Sequence, residues 1–215
     1  MLRRIVLRSG SGWRTMPGRY PSERIMVNVP NLLTLFRILL VPLLVVALLT
    51  EFEGKEYVAL AVFLVAAATD VLDGYLARRQ RKITRLGKLL DPAADKILMS
   101  AAFISLVDLD VAPAWMVVVI VAREFAVSAL RSFAASDNVV IAADFSGKAK
   151  TAIHTVAVAV CIIHERLVDL GAEAPEWLVP TVLWAALTIS VVSWIDYFLR
   201  YGRLVLERER PTPAP

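Results

Sequence analysis

Asp70-Val71-Leu72-Asp73-Gly74 and, after a short basic stretch, Leu90-Asp91-Pro92-Ala93-Ala94-Asp95 set four carboxylates at the borders of two strongly apolar runs. Asp70 and Asp73 are three apart, so on a helix they share a face, and Gly74, Ala77 and Arg78 continue that stripe. On the next run Gly87, Asp91 and Asp95 recur every four residues, again a single stripe. Two facing helices carrying two acids each make an all-oxygen pocket, which suits hard divalent cations such as Mg²⁺ or Mn²⁺. Any one of these acids would serve equally as a helix cap or as the partner of a nearby arginine. Four together are poorly explained that way.

The surrounding chain says why. Of its 215 residues 58% are hydrophobic, and the mean hydropathy is +0.62. That is too apolar for an ordinary soluble domain and points to a polytopic membrane protein. An acid near mid-membrane costs roughly 2.5 to 3.5 kcal/mol on insertion scales, so such residues are functional candidates by default. Four facing one another need a cation, and a pair of metals meets that need. The lone Cys161 excludes an internal disulfide, and His154 and His164 lack metal-ligand or triad spacing. No basic run with interleaved aromatics is present, so nucleic acid is not an expected partner.

Six apolar runs follow one another at about 31–50, 57–78, 88–107, 112–133, 148–164 and 177–200. Several reach the roughly 20 residues that span hydrocarbon; the fifth needs its polar flanks to do so. The expected fold is all-α, a bundle of six transmembrane helices with brief loops, no repeat and no second domain. Lys and Arg number six up to residue 28, six in 78–88, three in 131–150 and four in 200–210, nineteen on one side. The opposite loops hold only Lys55 and Arg166. By the positive-inside rule both termini and the acidic stretch face the cytoplasm. Residues 1–25 form a basic extension without the apolar core of a signal peptide, expected to lie on the membrane surface. Residues 26–205 form the membrane domain, and 206–215 a disordered tail.

The ordered pattern Asp70-x2-Asp73-Gly74-x2-Ala77-Arg78-x8-Gly87-x3-Asp91-x3-Asp95 resembles the signature of the CDP-alcohol phosphotransferase family. Eight matching positions over 26 residues make a specific signal. The resemblance extends over about residues 26 to 203, and Met26, where such proteins often begin, leaves open an upstream start that the cell does not use. It implies CDP-diacylglycerol as lipid donor, a Mg²⁺ or Mn²⁺ two-metal site, a bacterial inner-membrane location and a homodimer. It also implies that Asp70, Asp73, Asp91 and Asp95 are metal ligands, Asp95 acting in addition as general base. Thr34, Gly74, Ala77, Arg78, Thr84 and Gly87 would then contact CDP-diacylglycerol. Side-chain-free Gly74 lets a nucleotide approach the helix backbone; Gly87 serves equally for helix packing.

The acceptor must be held elsewhere. Arg37 follows Thr34 by three and Asn31 by six, a polar stripe in an apolar run. Arg123 and Arg131 are eight apart with Glu124 beside them, and Lys148 and Lys150 open the fifth run. Arg131, Lys148 and Lys150 would also serve as positive-inside anchors; Arg123 is deeper. Together Arg37, Arg123, Arg131, Lys148 and Lys150 make a basic pocket for an acceptor carrying phosphate. The blocks Asn31–Arg37, Ala122–Arg131 and Gly147–Thr151 resemble the branch of the family whose acceptor is glycerol 3-phosphate. Cardiolipin synthesis, with phosphatidylglycerol as acceptor, is the nearest alternative, and a cation or proton transporter the alternative from another class. Transporters place such acids at midplane, often within inverted repeats.

Overall fold

The computed structural model describes residues 29–80, 85–136, 145–171 and 174–208, and every regular element among them is helical. There are six such helices: α1 (Val29–Leu49), α2 (Lys55–Gln80), α3 (Arg85–Asp108), α4 (Ala114–Ser136), α5 (Phe145–Asp169) and α6 (Leu178–Arg208). Each apolar run therefore lies on a helix of its own. The helices outrun the apolar stretches: α5 extends into polar residues at both ends, and α6 continues to Arg208. The extension 1–25 and Thr84 lie outside the described residues. Asp73, Gly74, Ala77, Arg78, Gly87, Asp91 and Lys148 are placed by the backbones of their helices, and their side chains lie outside the description.

Local chemistry sets the helix ends. Pro30 lies in the first turn of α1, where a missing N–H costs nothing. Pro42 and Pro92 lie inside α1 and α3, each withholding one helical hydrogen bond without ending its helix. Gly54 adopts φ 78° in the turn before α2, and Gly171 φ 74° just after α5, a conformation glycine enters without a Cβ penalty. Between α3 and α4 the Leu106 carbonyl accepts the amides of Val111 and Ala112, each at 3.0 Å, so the connection turns tightly.

Two packed groups share the middle of the bundle. α1 lies against α2 and α3, while α6 lies against α4 and α5; α3 touches α4 and α5, and α2 touches α5, joining them. Where helices approach, small residues face one another: Ala59, Ala66, Ala102, Ala157 and Ala186 are fully enclosed among Leu44, Phe63, Phe103 and Leu106. The outside of the bundle is more apolar than a soluble protein's, and its mainly apolar core also encloses polar groups. Among the described residues the largest fully buried side chain is Arg37, and Thr34, Arg123, Lys150, His154 and Ser190 are buried as well. Leu39, Val118, Trp177, Val192 and Leu199 are all more than half exposed. Among the described residues, 32–49 and 178–199 are long and apolar enough to cross a membrane, and 150–164 is a shorter apolar stretch.

Candidate active site

The site begins at α1. Thr34 and Arg37, one helical turn apart, are both completely buried. A lone guanidinium there would be untenable, and α2 supplies its counter-charge: Arg37 Nη1 lies 3.0 Å from Asp70 Oδ1. Asp70 itself stays 39% exposed, so its carboxylate keeps a solvent-facing side while Arg37 fixes the other. The preceding residue, Thr69, returns its hydroxyl to the Ala66 carbonyl at 2.7 Å and occupies no part of this contact.

Asp95 of α3 lies within electrostatic reach of Asp70, Arg37, Glu124 and Lys96, and Lys150 of α5 in turn feels Asp95. Five helices thus send a charged group toward one region. Two of the four expected metal ligands, Asp70 and Asp95, are brought together from different helices. Asp73 stands three positions after Asp70 in α2 and Asp91 four before Asp95 in α3, so helical register keeps each near its partner. Among the described residues no group of three His, Cys, Asp or Glu is close enough to hold a metal, and the full set requires Asp73 and Asp91. The donors in hand are hard carboxylate oxygens with no sulfur or imidazole among them, which fits Mg²⁺ or Mn²⁺.

Beside Asp95 lies a small, partly open cleft lined by Asp95, Lys96, Met99, Glu124, Lys150, Thr151 and His154. Lys150 pairs with Glu124, and Glu124 Oε1 also accepts from Arg123 Nη1 at 2.9 Å. Arg123 is 6% exposed, and its other two nitrogens are directed to α6: Nε donates to the Ser190 carbonyl at 3.1 Å and Nη2 to Ser193 Oγ at 2.5 Å. His154 braces the same helix from α5, its Nε2 donating to the Ala186 carbonyl at 3.2 Å and lying 2.8 Å from Ser190 Oγ. Phe103 meets the His154 ring edge-on at 5.8 Å.

Of the expected acceptor residues, Lys150 lines the cleft, and Arg123 stands immediately behind it through Glu124. Arg37 belongs to the Asp70 side. Arg131 is directed elsewhere: its Nε donates to the Tyr197 hydroxyl at 3.2 Å, and its guanidinium lies 5.3 Å from that ring centre. Lys96, Met99, Thr151 and His154 were not singled out for the site from the sequence. The signal was nonetheless present, since Met99 is four residues after Asp95 and His154 four after Lys150, one helical turn in each case. Lys96 Nζ donates to the Pro92 carbonyl at 3.2 Å.

Comparison with known proteins places these features in a family. Residues 27–194 match the CDP-alcohol phosphatidyltransferase family. The chain is similar to a Bacillus subtilis protein named CDP-diacylglycerol–glycerol-3-phosphate 3-phosphatidyltransferase, 42% identical over 185 residues, covering 80% of this chain and 94% of the relative. A Rickettsia felis protein of the same name is 31% identical over 175 residues, covering 81% and 96%. The crystal structure of Mycobacterium tuberculosis phosphatidylinositol phosphate synthase in apo form shares the fold, with a TM-score of 0.57, 19% identity, and coverage of 80% of this chain and 88% of that one. A family match over residues 27–194, together with relatives 42% and 31% identical over most of their length, makes this chain a member of the CDP-alcohol phosphatidyltransferase family.

Proposed function

We propose that this protein transfers the phosphatidyl group of CDP-diacylglycerol to glycerol 3-phosphate, giving phosphatidylglycerophosphate and CMP in phospholipid biosynthesis. The observation that carries the choice of acceptor is the similarity, at 42% identity over 94% of its length, to the Bacillus subtilis protein named for that reaction. The cleft agrees with it chemically, because it sets the carboxylate of Asp95 and the ammonium of Lys150 on the walls of one space. A small acceptor with a hydroxyl at one end and a phosphate at the other meets both.

Asp70, Asp73, Asp91 and Asp95 would hold the divalent cations. Bound there, Mg²⁺ or Mn²⁺ supplies charge neutralisation for the donor diphosphate and for the oxygen that leaves on CMP. The remaining work belongs to the chain. Arg37 holds the Asp70 carboxylate in one orientation from its buried side. Asp95 takes the proton of the acceptor's primary hydroxyl as that oxygen bonds to the lipid-side phosphorus. The bond from that phosphorus to the CMP oxygen breaks, and CMP departs. Arg78, with Thr34, Gly74, Ala77, Thr84 and Gly87, is assigned to the donor's nucleotide and diphosphate.

The apolar outside of the bundle supports a membrane setting, since large hydrophobic side chains covering the surface match hydrocarbon surroundings. All six helices are taken to span the bacterial inner membrane, with both termini and the cleft facing the cytoplasm and the protein a homodimer. Incubating purified protein with CDP-diacylglycerol and a panel of radiolabelled acceptors tests the function. Phosphatidylglycerophosphate formed from glycerol 3-phosphate is the expected product; preferential use of phosphatidylglycerol would transfer the assignment to cardiolipin synthesis.

A further inference from the structure

An anion of the kind that Lys150 and Arg123 would receive from an acceptor is already present in the protein. Glu124 pairs with Lys150 and accepts from Arg123 at 2.9 Å, and it lines the same cleft as Asp95. Its side chain is 20% exposed, whereas Arg123 keeps 6% and Lys150 11%. The Glu124 side chain is thus the most exposed of the three. We propose that Glu124 is a built-in stand-in for the acceptor's phosphate, occupying that subsite in the empty enzyme and surrendering Lys150 to a phosphate dianion on binding. This rests on the acceptor assignment given above and deepens it by naming the residue that sets anion selectivity.

The partners differ in freedom. Arg123 is tied to α6 through the Ser190 carbonyl and Ser193 Oγ, so it cannot swing toward a ligand without breaking those bonds. Lys150 is a point charge on a flexible stem with three donors, and among the described residues its ion pair is with Glu124. Exchange of partner therefore falls to Lys150, while Arg123 keeps Glu124 from following it.

Charge decides what is admitted. Arg123 and Lys150 against Glu124 leave one net positive charge. A neutral alcohol offers Lys150 nothing better than the carboxylate. A monoanion exchanges one unit charge for another and gains little. A phosphate dianion carries twice the carboxylate's charge and therefore attracts the Lys150 ammonium more strongly than Glu124 does. In the empty cleft Glu124 keeps two neighbouring cations from facing each other unpaired in a poorly hydrated site, where an uncompensated charge is strongly destabilising. Glu124 is thus a positioning residue: it lowers affinity for every anion while keeping the subsite assembled.

The test uses full-length protein in detergent and inorganic phosphate as probe, with binding measured by calorimetry alongside initial rates at saturating CDP-diacylglycerol. Glu124→Gln is expected to bind phosphate at least about tenfold more tightly than wild type, the scale of one charge-assisted hydrogen bond. Its KM for glycerol 3-phosphate should fall in parallel, with the KM for CDP-diacylglycerol unmoved; a merely structural residue would shift both KM values and kcat together. Glu124→Asp, which keeps the charge but is one methylene shorter, should tighten phosphate by a smaller factor and serves if the glutamine variant does not fold. Phosphate binding unchanged or weaker in whichever variants fold overturns the proposal. If wild type makes phosphatidylglycerophosphate and neither variant tightens phosphate, only this inference fails. If wild type makes none and Glu124→Gln still tightens phosphate, the acceptor assignment fails and the anion exchange stands.

Discussion

Arg123 offers the sharpest separation of architecture from chemistry. Its side chain joins α4 to α6 through Ser190 and Ser193 and holds Glu124 through Nη1, at distances of 3.1, 2.5 and 2.9 Å. Arg123→Ala removes all three bonds and leaves Glu124 paired with Lys150. Removing one member of a buried ion pair costs about 3–5 kcal/mol. In a chain of this length each kcal/mol moves the midpoint by roughly 2–4 °C, so a fall of about 6–20 °C is expected in an intrinsic-fluorescence melt in detergent. Arg123→Lys keeps a cation for Glu124 but cannot also reach both serines, so it should fall between wild type and alanine. Acceptor KM measured below the melting range completes the assay. An alanine variant melting within 2 °C of wild type, with only its glycerol 3-phosphate KM raised, would refute the clamp and make Arg123 a direct phosphate ligand.

Three further outcomes follow from the site. Asp95→Asn should leave CDP-diacylglycerol binding largely intact while kcat falls by about 10² or more; turnover within a few-fold of wild type removes Asp95 from proton transfer. Exhaustive EDTA treatment should abolish activity, and Asp70→Asn should weaken directly measured Mn²⁺ binding, because a neutral amide is a poorer ligand for a hard cation; full activity after chelation excludes the metal site. Lys150→Ala should raise the glycerol 3-phosphate KM by about 10- to 150-fold, the range of a charge-assisted bond, and equal rises for donor and acceptor would assign Lys150 to the fold.

The helices were legible because apolar runs of about a span in length leave the backbone few alternatives in an apolar solvent. The placement of Asp70 on α2 and Asp95 on α3 was legible too, since each belongs to a spaced pattern within a single helix. What the sequence did not disclose was partnership across the bundle. Arg123 finds Ser190 and Ser193 at separations of 67 and 70 residues, and Arg131 finds Tyr197 at 66. Serine and tyrosine in an apolar helix carry no mark of which arginine they will meet. Helix rotation decides that, and rotation is set by packing of residues such as Ala157 and Ala186 rather than by any motif. Glu124 was visible as a neighbour of Arg123 but not as the anion between two cations, because Lys150 reaches it from another helix.

The bracing of α4 and α5 by α6 has a consequence for biogenesis. Ser190, Ser193 and Tyr197 are synthesised well after the Arg123, Arg131 and His154 side chains that they receive. Until α6 packs, those three side chains lack their α6 partners, and the wall behind the cleft is incomplete. A nascent chain stalled before α6 therefore leaves uncovered Arg123 and His154, both of which are buried in the folded protein. The cleft takes its form only when α6 docks against α4 and α5.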